Sequence, residues 1–195
     1  PTRNTHLPEQ EKGIKPANAI PYELYVQGAF DKGKAQFEMK FSAGNTFFPG
    51  HAVAAPFQVY AAAQNWSFTA AAGDSLHYQW PISSFEHQKY DLKVYSVNGF
   101  FRRFKGNADD PKLAISLHYQ QQNGKPDGNL LFKIKRLQKG AKLQLRLTDQ
   151  SYGYAPQQIS LEENEREKDI LLELTKSHHW YDFRISSPSH PEFSQ

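Results

Sequence analysis

Between residues 20 and 106 apolar side chains recur at every second position, in short runs broken by turn residues. Phe37, Met39 and Phe41 alternate with Gln36, Glu38 and Lys40. That period places the three apolar groups on one face of a strand. Glu23-Leu24-Tyr25-Val26 forms a shorter run before it, and Asp31-Lys32-Gly33 between them reads as a hairpin turn. Further runs fall at 57–60, 66–69, 76–82, 90–95 and 99–106, with another turn at Ala72-Gly73-Asp74. Short strands with turn signals at this spacing predict a β-sandwich.

The strongest helical pattern lies at 161–176, LEENEREKDILLELTK, which is rich in helix formers. Its apolar residues are bunched at Ile170, Leu171, Leu172 and Leu174 rather than spread over a helical face. An internal repeat decides the matter in favour of a turn followed by a strand. Residues 33–41 align with 128–136, 66–70 with 157–161, Trp80-Pro81-Ile82 with Leu172-Glu173-Leu174, and 90–94 with 181–185. The expected fold is all-β, as two tandem immunoglobulin-like β-sandwich domains. Residues 1–18 read as a linker or lead-in, 19–106 as the first sandwich and 111–195 as the second. The polar segment Gly106-Asn107-Ala108-Asp109-Asp110-Pro111 suits the junction.

Tyr90-Asp91-Leu92 and the later Asn98-Gly99-Phe100-Phe101-Arg102-Arg103-Phe104-Lys105-Gly106 carry a more specific signature. With Ala17 to Leu24, 57–60 and His179-Trp180-Tyr181-Asp182-Phe183, they resemble the repeated C-terminal domain of bacterial phosphocholine-preferring phospholipases C, non-haemolytic and haemolytic. The resemblance covers residues 17–185. It implies a secreted or periplasmic parent that hydrolyses phosphatidylcholine to diacylglycerol and phosphocholine. It also implies that the chemistry belongs to an N-terminal phosphoesterase domain, the expected partner of this chain, and that no catalytic residue lies here. A start at Pro1 fits a piece of a longer protein. The second copy departs from the family pattern, because a Ser/Pro stretch follows Phe183 where an aromatic-Arg-Arg-Phe segment is expected. Its last strand is therefore expected to be incomplete, with an exposed edge.

Composition narrows the chemistry. The absence of Cys excludes disulfides, thiolate nucleophiles and Cys-based zinc sites. The net charge of +3 is spread out, with 12 basic and 12 acidic residues in 107–195, so no nucleic-acid footprint is expected. No apolar run has the roughly 20 residues of a membrane-spanning helix. Neither a nucleophile elbow, a phosphate-binding loop nor a zinc-protease motif is present. No metal or cofactor is expected.

Five features remain as candidates. Phe101, Arg102, Arg103 and Lys105 form an aromatic and cationic strip. Alternation places Phe100, Arg102 and Phe104 on one face and Phe101, Arg103 and Lys105 on the other. Guanidinium groups bind phosphate oxygens well, so the strip is a candidate for contact with a phospholipid surface or a partner domain. Phe47 and Phe48, in the aromatic loop 44–55, are candidates for the same contacts, with a buried loop anchor as the plainer reading. Adjacent His178 and His179 in a strand would face opposite ways, which argues for surface histidines beside a core Trp180. Tyr-Asp occurs at 90–91 and 181–182, as expected of a repeated fold requirement, with Asp meeting turn backbone donors. The run Glu162, Glu163, Glu165, Glu167 includes Arg166 and Lys168, which fits a solvated turn better than a calcium site. The alternative function is a stand-alone adhesion or carbohydrate-binding sandwich, whose sign would be an exposed aromatic platform or a calcium site.

Overall fold

The computed structural model describes residues 20–195. The described residues form strands β1 (Leu24–Asp31), β2 (Gln36–Ala43), β3 (Ala55–Ala61), β4 (Gln64–Ala70), β5 (Ser75–Pro81), β6 (Lys89–Ser96) and β7 (Phe101–Asn107). These are followed by β8 (Leu113–Gln122), β9 (Lys125–Arg136), β10 (Leu143–Asp149), β11 (Gln157–Leu161), β12 (Glu167–Leu172), β13 (Phe183–Ser187) and β14 (His190–Ser194). The 161–176 segment is a turn leading into β12, as the repeat indicates. The expected lead-in at 1–18 lies outside the described residues.

Alternation accounts for the core. Phe37, Met39 and Phe41 on β2 are fully buried, and they meet Phe57, Val59, Leu92, Val94 and Phe104 from the facing sheet. The Phe41 and Phe57 rings are 5.3 Å apart, and those of Phe37 and Phe104 are 5.5 Å apart. A second, separate cluster gathers Leu113, Ile115, Phe132, Leu145, Leu147, Ile185 and Phe193. One strand order occurs in both halves: three-stranded sheets β1-β2-β5 and β12-β9-β8, facing runs β4-β3-β6-β7 and β11-β10-β13-β14.

The two four-stranded runs are not separate sheets. They join edge to edge in an eight-stranded sheet, β11-β10-β13-β14-β7-β6-β3-β4, in which Ser194 pairs with Lys105. The second half thus ends in the five-residue β14, shorter than the seven residues of β7. The edge expected to be open is occupied by β7, and the buried Phe193 and the Ile185–Gln195 backbone pair hold β14 down.

Candidate functional site

Four of the six candidate residues lie on β7, and parity sorts them. Phe104 points into the first core, so Arg102, two residues earlier, points to the same side. Its guanidinium lies 5.3 Å from the centre of the Phe104 ring. It also lies beside Tyr181 from the second half, and burial lowers its pKa below the ordinary guanidinium value. Arg102 thus stands between the halves. Arg103 faces outward but is held by Asp91, with Nε–Oδ1 at 2.7 Å and Nη2–Oδ2 at 2.6 Å. These bonds keep the Asp91 carboxyl below its usual range. Lys105 lies 3.8 Å from Glu192, which also holds Lys89 at 2.9 Å. Arg103 and Lys105 are therefore paired with carboxylates, and Arg102 lies among aromatic rings.

The aromatic member behaves differently. Phe101 is 46% exposed, and its ring lies 5.0 Å from that of Tyr95, its register partner on β6. Tyr95 in turn lies 5.8 Å from Tyr60 on β3, and both are also exposed. Their planes are inclined by 76° and those of Tyr95 and Phe101 by 48°, so the three rings form no flat platform.

Phe47 and Phe48 part company. The 44–47 segment is anchored by Glu23, only 4% exposed, which accepts the Thr46 and Phe47 N–H groups at 2.8 and 3.0 Å and the Tyr25 hydroxyl at 2.8 Å. Burial, then this bond to Glu23, raises the Tyr25 pKa. Phe47 packs edge-on against Tyr119 of β8, at 5.7 Å between ring centres. Phe48 is left 39% exposed. Tyr181 of the second half lies near both Tyr119 and Arg102, so Phe47, Tyr119, Tyr181 and Arg102 follow one another along a seam across the halves. A groove of about 500 Å³ opens beside this seam, between Glu23, Tyr25, Asp74, His118 and Gln121. His118 Nε2 lies 2.9 Å from Ser116 Oγ, and among the described residues no carboxylate bonds its other ring nitrogen. The groove thus lacks the third, orienting member of a nucleophile–base set.

The remaining candidates resolve as structure. His178 and His179 lie in a turn with φ of 52° and 66°, not in a strand, and His179 Nδ1 contacts the Gly128 carbonyl at 3.0 Å. No cluster of metal-ligating side chains occurs among the described residues. Trp180, expected in the core, is 64% exposed, more than any other aromatic side chain described. Tyr90 is buried and its hydroxyl donates to Asp110, whereas Asp91 serves Arg103 and Asp182 accepts Ser151 Oγ at 2.7 Å. The carboxylates of the two Tyr-Asp pairs thus meet side chains, not the expected turn donors. In the acidic run, Glu162 pairs with Lys142, Glu165 with Lys168 and Glu167 with Lys135.

The fold and this surface define an all-β protein with two packed cores, joined by one continuous sheet and a polar-aromatic seam. Residues 16–107 match the family described as bacterial phospholipase C, C-terminal domain. The chain is 32% identical over 185 residues to a non-hemolytic phospholipase C of Burkholderia pseudomallei, covering 92% of the chain and 25% of that relative. It is 27% identical over 202 residues to the non-hemolytic phospholipase C of Pseudomonas aeruginosa, covering 96% of the chain and 27% of the relative. The hemolytic phospholipase C of the same organism is 26% identical over 205 residues, covering 93% and 27%. The chain is thus similar to the C-terminal domain of bacterial phospholipases C, with the family match confined to residues 16–107, and it spans about a quarter of the length of these curated relatives.

Proposed function

We propose that this chain is the non-catalytic accessory region of a secreted bacterial phospholipase C, and that it serves a phosphoesterase region preceding it in the same polypeptide. The carrying observations are the match of residues 16–107 to the C-terminal family and the alignment of nearly the whole chain to only about a quarter of each relative. The parent's reaction on this reading is hydrolysis of phosphatidylcholine to diacylglycerol and phosphocholine. The repeated strand order supports two tandem immunoglobulin-like sandwiches, meeting near 107–111. The family match ends at residue 107, the last residue of β7, in keeping with that boundary.

Two routes of service follow from the surface: docking on the phosphoesterase region, or contact with a lipid surface through exposed aromatic rings. Docking is favoured, because the cations that would meet lipid phosphates are tucked away or ion-paired. The carbohydrate-binding alternative is weakened by the steep angles among Tyr60, Tyr95 and Phe101, since a sugar ring stacks on a flat aromatic face. Incubation of the 195-residue chain with a chromogenic phosphocholine ester tests the non-catalytic assignment. Release equal to buffer is expected, and turnover abolished by a point substitution in this chain would overturn it.

A further inference from the structure

The two ends of the eight-stranded sheet differ in chemistry. β7 and β13 both run antiparallel to β14, so both start at the same end. Following the ladders outward places the 44–54, 71–74, 97–100, 150–156 and 173–182 loops there. Loops 44–54, 97–100 and 150–156 contain no Asp, Glu, Lys or Arg, in a chain where such residues make up 22%, and the other two carry only Asp74, Glu173, Lys176 and Asp182. At the opposite end, loops 32–35, 137–142 and 162–166 carry Lys32, Lys34, Lys139, Lys142 and the charged run from Glu162 to Arg166. This charge-poor end also presents Phe48, Phe101 and Trp180, each next in sequence to a member of the Phe47–Tyr119–Tyr181–Arg102 seam. Large exposed rings on a charge-poor surface are the composition of an interface core, with Trp among its enriched anchors.

The chain itself points to the occupant. Its first described segment reaches β1 at this same end, and buried Glu23 ties it to the 44–47 loop beside Phe48. A preceding region is thereby tethered next to the exposed rings, at an effective concentration that favours intramolecular docking. A lipid surface would call for free cations beside the aromatics, and here Arg102 is half-buried over the Phe104 ring and Arg103 is bound to Asp91. We infer that the charge-poor end, with Trp180 as its anchor and Phe48 and Phe101 as its further exposed rings, is where the N-terminal remainder of the phospholipase chain docks. This rests on reading the chain as the C-terminal region of such an enzyme.

Hydrogen–deuterium exchange of the whole phospholipase against the 195-residue chain tests this. Exchange at 44–54, 97–100 and 173–182 should slow by about tenfold or more in the whole protein, with no change at 137–142 and 162–166. Trp180→Ala in the whole protein should return 97–100 to the rate of the chain alone, and should leave the melting temperature of the chain unmoved. Equal rates in the two forms would overturn the inference. So would slowing that appears only with phosphatidylcholine vesicles, which assigns the end to a bilayer. Slowing that rises with the concentration of the chain alone would assign it to a second copy instead. Hydrolysis of a phosphocholine ester by the same whole-protein sample reports on the functional reading separately. An inactive sample with protected loops would remove that reading and leave the docking surface standing.

Discussion

Asp110 closes the lower rim of the first core, and its substitution by Asn is the sharpest test of how that rim is held. The carboxyl is buried, accepts the Tyr90 hydroxyl and the Asn107 N–H, and lies in the field of Asp109 and Glu192. Burial outweighs the two hydrogen bonds and raises its pKa from 3.8 to about 6. A folded-state pKa above the unfolded one means that the native protein holds the proton more tightly. This contribution is therefore full below pH 4 and is lost as pH rises through 6. The displacement corresponds to an upper limit of about 3 kcal/mol. Asn keeps an acceptor for the Asn107 N–H and carries no charge, so it should not show the fall. Carboxylates such as Asp91, held below their usual range, change stability in the opposite sense, but they are common to both proteins and cancel in the difference. Urea unfolding at pH 4, 5, 6 and 7, followed by Trp fluorescence, gives that difference. The balance should shift towards the Asn variant by roughly 1–3 kcal/mol between pH 4 and 7. A difference constant to within about 0.5 kcal/mol would refute the account of the rim.

Four further substitutions separate seam, surface, loop anchor and core. Arg102→Ala removes the cation over Phe104 and the contact with Tyr181, and should cost roughly 1–3 kcal/mol in urea unfolding. Arg103→Ala removes only an exposed ion pair and should cost about 1 kcal/mol or less. Glu23→Ala strips the acceptor from the Thr46 and Phe47 N–H groups. A loss of roughly 1–3 kcal/mol is expected in the same assay, with faster amide exchange at those two residues. Gly28→Ala would place a methyl group 2.7 Å from Phe37 Cζ and 3.0 Å from Phe104 Cε1. Thermal unfolding should show a destabilisation of roughly 1–3 kcal/mol from overpacking.

The fold was largely legible because alternation is local. Phe37, Met39 and Phe41 announce a buried face on their own, and the repeat carries that reading into β9, β11 and β12. Parity along β7 likewise set Arg102 with Phe104 and Arg103 with Lys105. Parity says which side a residue faces but not what covers that side, so the neighbours of Arg102 in the second half stayed hidden. The pairing of Ser194 with Lys105 depends on how two halves meet edge to edge, which no run of residues encodes locally. Trp180 was misplaced for a related reason. Its position after two residues of positive φ puts it on a turn, and His, though it enters positive φ more readily than most side chains, marks a turn less plainly than Gly. The missing charges of 44–54, 97–100 and 150–156 were readable throughout, but only topology brings these loops to one end.

A non-catalytic region that serves its enzyme through one charge-poor end should also bind that enzyme in trans. The 195-residue chain is titrated calorimetrically into the separately produced upstream region, whose own hydrolysis of a phosphocholine ester verifies that it is folded. The account predicts saturable binding that Trp180→Ala and Phe101→Ala weaken by about tenfold or more, and that Tyr60→Ser leaves unchanged. No binding to an active upstream region, or binding indifferent to Trp180 and Phe101, would contradict it.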